Sequence, residues 1–407
     1  MMNHICLLII LLYLVTVDVF AKCEIKNINE FYKRIQEQGI VKVRSELKNE
    51  YYKGLIQKAQ ERPNPEIEIE YSKAKDQGEN DQSFSLYGKH VVELGNKRDR
   101  RINKAKVETD ILKEYNEKDS ISNKLNLLKQ FHENSQLSIV IESIKEAIGV
   151  FENIINKLSS RSQLNHEETV SLSTLKLAKD DYLSKLNLLE NQRDTQNIAL
   201  MYMSSCENVE TIYKELKYGQ FFMKEGHDSS KGELNIANLK YELSKSEFEL
   251  EKSLGYSNLN IGPKFEFSKN GDQDIYSAGL FVSFDLPLFS TNEGGKFLAS
   301  KKMLIEKNEK DNSINFVRMK KINFYRQYKR AINTLNRLPT LESLEKTHLK
   351  IEKLYARGVV SIPMTIESHR QHIDFLKSRF DIENALIESI IQISIIEGDE
   401  QSFASIL

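Results

Sequence analysis

Two periodicities divide the chain. In NPEIEIEY, residues 64–71, isoleucine and glutamate alternate with a period of two. That is the pattern of a β-strand with one apolar and one charged face. Most of the remaining sequence places apolar residues three and four apart amid lysine and glutamate, as in Leu125, Leu127, Leu128, Phe131 and Leu137. This is the spacing of amphipathic, coiled-coil-like helices.

The pattern occurs twice. PNPEIEIEYSK at 63–73 is echoed by IGPKFEFSK at 261–269, and each begins at a proline-bearing turn. Polar clusters follow, KDQGENDQ at 75–82 and NGDQD at 270–274, with the composition of hairpin loops. Each is succeeded by a second strand, SFSLYGKHVVEL at 83–94 and YSAGLFVSFDL at 276–286. In the latter, Tyr276, Ala278, Leu280, Val282 and Phe284 share one face. Ser277, Gly279, Ser283 and Asp285 share the other, with Phe281 as an exception.

ELGNKRDRR (93–101) and PLFSTNEGGK (287–296) then lead into helical stretches of about 66 residues, Gly95 to Arg161, and about 64, Gly294 to Gly358. Helical throughout, each would span roughly 95–100 Å. Leu338-Pro339 is expected to kink the second or end a segment of it. Tips are predicted at about 159–168 and 355–363, with returning helices over about 166–220 and 362–396. The mature chain thus reads as two structural repeats, 22–230 and 231–407, each helix, strand, strand, long helix, tip and return helix.

Composition sharpens this picture. Of 407 residues 29% are charged, with 17 glycines and 6 prolines, which favours long exposed helices over a compact α/β enzyme. A net charge of −1 gives no argument for nucleic acid as a partner. Residues 5–17, ICLLIILLYLVTV, followed by Val19-Phe20-Ala21, read as a secretory signal peptide over 1–21, the alternative being an uncleaved anchor. No later run reaches the ~18 apolar residues of a membrane-spanning helix. After removal of Cys6 with the signal, Cys23 and Cys206 remain. In an oxidising compartment they either pair, tying the N-terminal arm to a later helix, or stay as free thiols. Lipidation of Cys23 is disfavoured by Lys22 before it. No glycine-rich phosphate loop, nucleophile elbow or zinc motif is present, so no catalysis, cofactor or metal is expected.

Four strands of eight to twelve residues approach the length of a transmembrane β-strand, ~9–11 residues. A lipid-facing sheet must close on itself, and four strands cannot close, since single-chain barrels start at about eight. Three copies would supply twelve. The isoleucines would then face lipid and the glutamates a watery lumen. A soluble strand pair packed on its own helices, with the glutamates in solvent, is the other reading of the same alternation.

The order of motifs resembles the outer-membrane efflux proteins of the TolC type, closest to their heavy-metal-resistance branch. Asn64-Pro65-Glu66 precedes the first strand, and Glu93-Leu94-Gly95-Asn96-Lys97-Arg98 enters the long helix. Leu286-Pro287-Leu288-Phe289 with Gly294-Gly295 closes the second hairpin, and Tyr355, Gly358 and Ser361 mark the second tip. The first tip departs from the family pattern by lacking glycine, with Ser160-Arg161-Ser162-Gln163-Leu164 instead. IESHRQ at 366–371 replaces a small-residue and glutamine pattern. The chain is also short for the family, so any equatorial belt is expected to be reduced.

The resemblance implies a mainly α fold with a small β part. It would form a homotrimeric, 12-stranded barrel in the bacterial outer membrane, continued by a periplasmic helical tunnel. Its partners would be outer-membrane lipid, a periplasmic adaptor (membrane fusion protein) and an inner-membrane pump of the resistance-nodulation-division or ABC type. The alternatives are the duct of a type I protein secretion system and, from another class, a periplasmic coiled-coil adaptor or structural protein. Arg161, Leu164, Arg357, Gly358 and Ser361 are the expected adaptor contacts, with turn chemistry at Gly358 and Ser361 as the plainer reading. Glu66, Glu68, Glu70, Glu266 and Asp285 are the expected lumen carboxylates, forming a cation-favouring exit or else simply solvated. Ile67, Ile69, Phe84, Tyr276, Leu280 and Phe284 are the expected lipid-facing residues. Phe84, Tyr276, Phe281 and Phe284 are candidates for aromatic girdles, or core packing in the case of Phe281. The eight histidines are scattered, and His369 and His372, three apart on one helix, read as a surface coincidence.

Overall fold

The computed structural model describes residues 21–37, 40–76, 79–215, 231–270 and 273–399. The expected signal peptide and the junction of the repeats near 230 therefore lie outside or at the limit of the described residues. Strand β1 (Ala21–Ile25) is followed by helices α1 (Ile28–Glu37) and α2 (Ile40–Gln60). The first hairpin is β2 (Glu66–Asp76) and β3 (Glu79–Val92), succeeded by α3 (Lys97–Ser159), α4 (His166–Ser204) and β4 (Cys206–Val209). The second repeat comprises α5 (Lys231–Leu254), β5 (Leu259–Asn270), β6 (Gln273–Phe284), α6 (Glu293–Leu335), α7 (Leu341–Ala356) and α8 (Ile362–Glu397). Among the described residues no helix is long and apolar enough to cross a membrane.

The chain forms two compact units that cut across the repeats. The first takes Met1–Glu46, Glu117–Gly232 and Val317–Leu407, and the second takes Leu47–Asn116 and Glu233–Phe316.

The first unit is helical. Along α3 the buried positions Val140, Ile144, Ala147, Phe151, Ile154 and Leu158 recur every three or four residues. They pack on Leu175 and Tyr182 of α4 and on Ile373, Leu376 and Phe380 of α8. A second cluster joins Phe31 and Ile35 of α1 to Leu125, Leu128 and Phe131 of α3 and to Leu386, Ile387, Ile390 and Ile391 of α8. Phe31 and Phe131 stack with ring centroids 5.1 Å apart. Fully burying each such side chain contributes roughly 1.5–3 kcal/mol. The last three turns of α8 bury Ile387, Ile390, Ile391, Ile393, Ile395 and Ile396 and leave Glu388 and Gln392, one turn apart, half-buried. Glu383 lies between the clusters with 1% of its surface exposed. It accepts from Gln136 Nε2 at 2.7 Å and Tyr213 Oη at 3.1 Å, the partners a buried carboxylate requires.

Two sequence expectations are corrected here. The return helix α4 ends at Ser204 rather than continuing toward 220. Ser204 Oγ turns back to Leu200 O at 2.8 Å, and Ser205 takes the left-handed conformation, φ 55° and ψ 41°. The chain then becomes a strand: β4 pairs in parallel with β1, with Ile25 opposite Val209. Consequently Cys206 lies in a strand, not a helix. It is disulfide-bonded to Cys23, with Cα atoms 5.1 Å apart, inside the ordinary cystine range. As expected, the Leu338-Pro339 step ends a helical segment: α6 stops at Leu335 and α7 restarts on the N-cap Thr340, whose Oγ1 accepts from Ser343 N at 3.2 Å.

The second unit carries a four-stranded antiparallel sheet in the order β2-β3-β5-β6. The strands differ from the expected limits. β5 starts at Leu259, so Pro263 lies inside a central strand, where its missing N–H breaks a ladder. The β3–β5 pairing is interrupted there, between Tyr87↔Lys264 and His90↔Ile261. Glycines allow the resulting close approach: a Cβ on Gly262 would come within 1.7 Å of Gly88 O. β6 ends at Phe284, ahead of Leu286-Pro287, and leaves Asp285 just beyond the strand.

The disulfide closes a loop between residues 183 apart in sequence, and such crosslinks typically contribute 2–4 kcal/mol by restricting the unfolded chain. Cys206→Ser is accordingly expected to lower unfolding stability by about that amount. Urea titration with and without a thiol reductant checks this: the reductant should shift the wild type and leave the variant unmoved.

Candidate functional site

The register sorts the side chains of the sheet into two faces of opposite character. On one face Tyr71, Phe84, Phe267 and Tyr276 form a continuous cross-strand row, with the Phe267 and Tyr276 rings 5.0 Å apart. The next row is Ile69, Leu86, Phe265 and Ala278. Beyond it come Ile67 and Leu280, then Ile261 and Val282, then Val92, Leu259 and Phe284. These residues are not covered by the chain's own helices: Ile67 is 76% exposed, Tyr276 76% and Leu280 80%. From Phe84 to Val92 a strand rises about 26 Å, or about 20 Å of height at the usual barrel tilt.

The opposite face is polar. It presents Glu66, Glu68, Glu70, Ser72, Ser83, Ser85, Lys264, Glu266 and Ser277. All four predicted strand carboxylates share it, while Asp285 lies past the end of β6. The face is less acidic than the sequence reading expected. Lys89 pairs with Glu68, and Lys264 Nζ lies 3.1 Å from Glu266 Oε2, leaving Glu66 and Glu70 exposed. Sequence reasoning missed Lys89, because only the register sets it beside Glu68, whereas Lys264 and Glu266, two apart on one strand, share a face by alternation alone. Phe281 is corrected as well: it belongs to neither girdle nor core. It sits on the polar face 5.6 Å from the Tyr87 ring, with Lys89 Nζ 5.3 Å from its centroid, a cation–π arrangement.

The ELGNKR segment joins sheet to helix, and its chemistry is visible. Gly95 (φ 72°) and Asn96 (φ 59°) are both left-handed, and a Cβ on Gly95 would fall 2.6 Å from the Tyr256 ring. Arg101 binds Glu93 with both ends of its guanidinium, at 2.8 and 3.2 Å, and reaches Ala59 O at 3.1 Å and Glu61 O at 3.0 Å. This fork holds the Glu93 carboxyl below the usual carboxylate range. Lys97 donates to Asn258 Oδ1 at 2.6 Å. In the second repeat Asn292 (φ 60°) takes the equivalent turn and donates to Glu251 O at 2.8 Å.

The two helical tips meet in the first unit. Leu164 of the first tip and Tyr355 and Ile362 of the second pack on the same apolar cluster. Arg161 stands close enough to Tyr355 to oppose the burial that raises its phenol pKa. Asn165 caps α4 in a capping box with Glu168, whose N donates to Asn165 Oδ1 at 2.7 Å, and Arg161 pairs with Glu168. At the second tip Gly358 takes φ 76° after the Arg357 cap. Gly358 N bonds Tyr355 O at 2.8 Å and Val359 N bonds Leu354 O at 3.0 Å, the bonds of a glycine helix stop. Ser361 is the N-cap of α8 but makes no side-chain cap bond. Sequence reasoning passed over Val359 and Met364, 69% and 60% exposed, although the run GVVSIPM held a signal in its apolar residues.

The reading of His369 and His372 as an exposed pair is overturned. They are 2% and 7% exposed, and His348 of α7, 3% exposed, lies against both rings. The signal was incomplete in one dimension, because the third histidine comes from a different helix.

No family model matches the sequence, and no curated protein matches it. Solved structures do match in fold. The outer-membrane channel OprN superposes with TM-score 0.69 at 9% identity, covering 94% of this chain and 95% of that one. The open state of the Neisseria gonorrhoeae MtrE outer membrane channel gives 0.68 at 9% identity, covering 92% and 89%. CusC, solved in a study of transmembrane channel formation, gives 0.63 at 12% identity, covering 94% and 93%.

Removing the Arg101 fork by Arg101→Ala is expected to cost about 1.5–3 kcal/mol through the lost charge-assisted bonds. Because the Glu93 pKa is lowered in the folded state, that carboxylate stabilises the protein above its ordinary value near 4.3 and ceases to do so as pH falls through the lowered one. Chemical denaturation of wild type and Glu93→Gln across pH 3–7 should show the two stabilities converging at the acid end. With the two-faced sheet and the paired helical tips in place, this chain has the fold of the TolC-type outer-membrane channels.

Proposed function

We propose that the chain is one protomer of a passive, trimeric exit duct in the outer membrane, opened from the periplasm and powered elsewhere. The observation that carries this is the sheet, whose long apolar face is uncovered and whose strands β2 and β6 are edges. In lipid no water satisfies an open edge. Edges that pair with another copy of the same sheet, head to tail around a three-fold axis, close twelve strands. The apolar face then meets lipid through Ile67, Ile69, Phe84, Tyr276, Leu280 and Phe284. The polar face lines the lumen through Glu66, Glu68, Glu70 and Glu266, with Asp285 at its rim.

The helical unit offers a matching seam. Val170, Leu177, Leu188 and Tyr202 of α4 are exposed and fall within one narrow stripe at 100° per residue, as a contact with a neighbouring protomer requires. The paired tips, with Arg161, Leu164, Arg357, Gly358 and Ser361, are the surface for a periplasmic adaptor. The exposed Val359 and Met364 add an apolar centre to it. An adaptor that binds the open arrangement better than the closed one shifts the population toward open, and an inner-membrane pump supplies the energy. The protomer itself catalyses nothing.

Planar-bilayer conductance of detergent-extracted protein, with its oligomeric mass measured alongside, tests the proposal. A trimer with discrete, cation-preferring openings is expected, and the double substitution Glu66→Gln, Glu70→Gln should reduce that preference. A water-soluble monomer without conductance would sink it.

A further inference from the structure

The helical unit holds a cluster that a conduit does not need. On α7, His348 and Glu352 stand one turn apart; on α8, His369 and His372 do the same. The two helices flank the second tip, so the four side chains converge. His348 Nε2 lies 3.7 Å from Glu352 Oε1, and His369 Nε2 lies 3.6 Å from that same oxygen. One ligand atom from each of His348, Glu352 and His369 falls within 4.8 Å of the others. His372 stacks on His348 with ring centroids 4.4 Å apart, and Glu146 Oε2 of α3 stands 4.0 Å from His348 Nε2.

The polar atoms in this pocket are buried without partners. Both nitrogens of His348, Nε2 of His369, Nδ1 of His372 and Oε1 of Glu352 make no hydrogen bond, although buried polar groups are ordinarily satisfied. We propose that His348, Glu352 and His369 form a binding site for a divalent zinc-class cation that staples α7 to α8.

The chemistry of the donors agrees. Two imidazole nitrogens and a carboxylate oxygen are a zinc ligand set, and bonds of about 2.0–2.2 Å in a tetrahedron put ligand atoms roughly 3.3–3.6 Å apart. The two imidazole-to-carboxylate separations need to contract by only tenths of an ångström, and all three ligand atoms already lie within 4.8 Å of one another. A fourth position stays open to water, with the Glu146 carboxylate nearby. The packing of His372 on His348 and the Phe151 edge against His369, centroids 5.5 Å apart, orient the ligands as outer partners do in metal sites.

The site lies about two helical turns from the Arg357–Ser361 tip on both helices, roughly 13 Å along each axis. A bound cation would fix the spacing of the hairpin that presents this tip. The inference does not depend on the channel reading, since binding is measured without conductance.

The test is zinc titration of the full, detergent-extracted chain after EDTA treatment and tag removal, by competition with a chromophoric chelator. Cobalt(II) substitution serves as the spectroscopic probe of ligand geometry. One ion per chain, a tetrahedral cobalt spectrum and a higher thermal midpoint with zinc are expected. His348→Gln and His369→Gln should each weaken binding at least tenfold. If either fails to fold, Glu352→Gln, at a partly exposed ligand, should do the same with secondary structure intact. A folded wild type that does not compete with the chelator would overturn the proposal. So would binding that survives all three substitutions unchanged.

Discussion

An uncovered apolar sheet face with two unpaired edges is the feature on which the rest of this molecule depends. Strands β2 and β6 each present a row of backbone donors and acceptors along one side. Such edges attract other strands unless they are blunted or closed. Neither edge carries a proline or a bulge among its described residues. The apolar face above them, from the Tyr71–Tyr276 row to Phe284, has no partner among the described residues. In the proposed duct both features are resolved together by symmetric repetition in lipid. The internal duplication fits this logic, because two hairpins from one chain reduce the number of copies needed to close the ring.

Transmitting that sheet into helices demands an abrupt change of backbone, and each repeat solves it with left-handed residues. Gly95 and Asn96 do so in the first repeat and Asn292 in the second. The charged residues beside them fasten the turn rather than line a site: Arg101 reads Glu93 and two carbonyls at once. Arginine suits this role because its planar fork makes several directed bonds from one rigid group. The Gly88–Gly262 approach is a similar accommodation. It makes room for Pro263 in a strand where a proline would ordinarily be excluded.

In the helical unit the apolar clusters supply most of the stabilisation, and polar groups are admitted on strict terms. Glu383 is satisfied by Gln136 and Tyr213, whereas the His348–His369–His372 pocket is not. Desolvated polar atoms without partners are costly, and they persist where another demand on the site outweighs that cost.

Much of the architecture was legible in one dimension. The period-two runs located all four strands of the sheet to within a few residues. The three-and-four spacing located the long helices, and the order of turn motifs pointed to the fold. These properties are local: alternation follows from the pleat, helix periodicity from 3.6 residues per turn, and chain breaks from glycine and proline. What depended on partners distant in sequence was not legible. The register alone paired Lys89 with Glu68 across the hairpin and set Phe281 beside Tyr87 and Lys89. The strand at Cys206–Val209 required β1, some 180 residues earlier, so its sequence had read as more helix. The histidines at 369 and 372 looked like a surface pair because the third ring, the carboxylate and the burial all come from other turns and other helices. Sequence determined which elements this protein forms and which of their faces are apolar. Only the tertiary structure decided which side chains share a site, because that depends on distances the chain order does not encode.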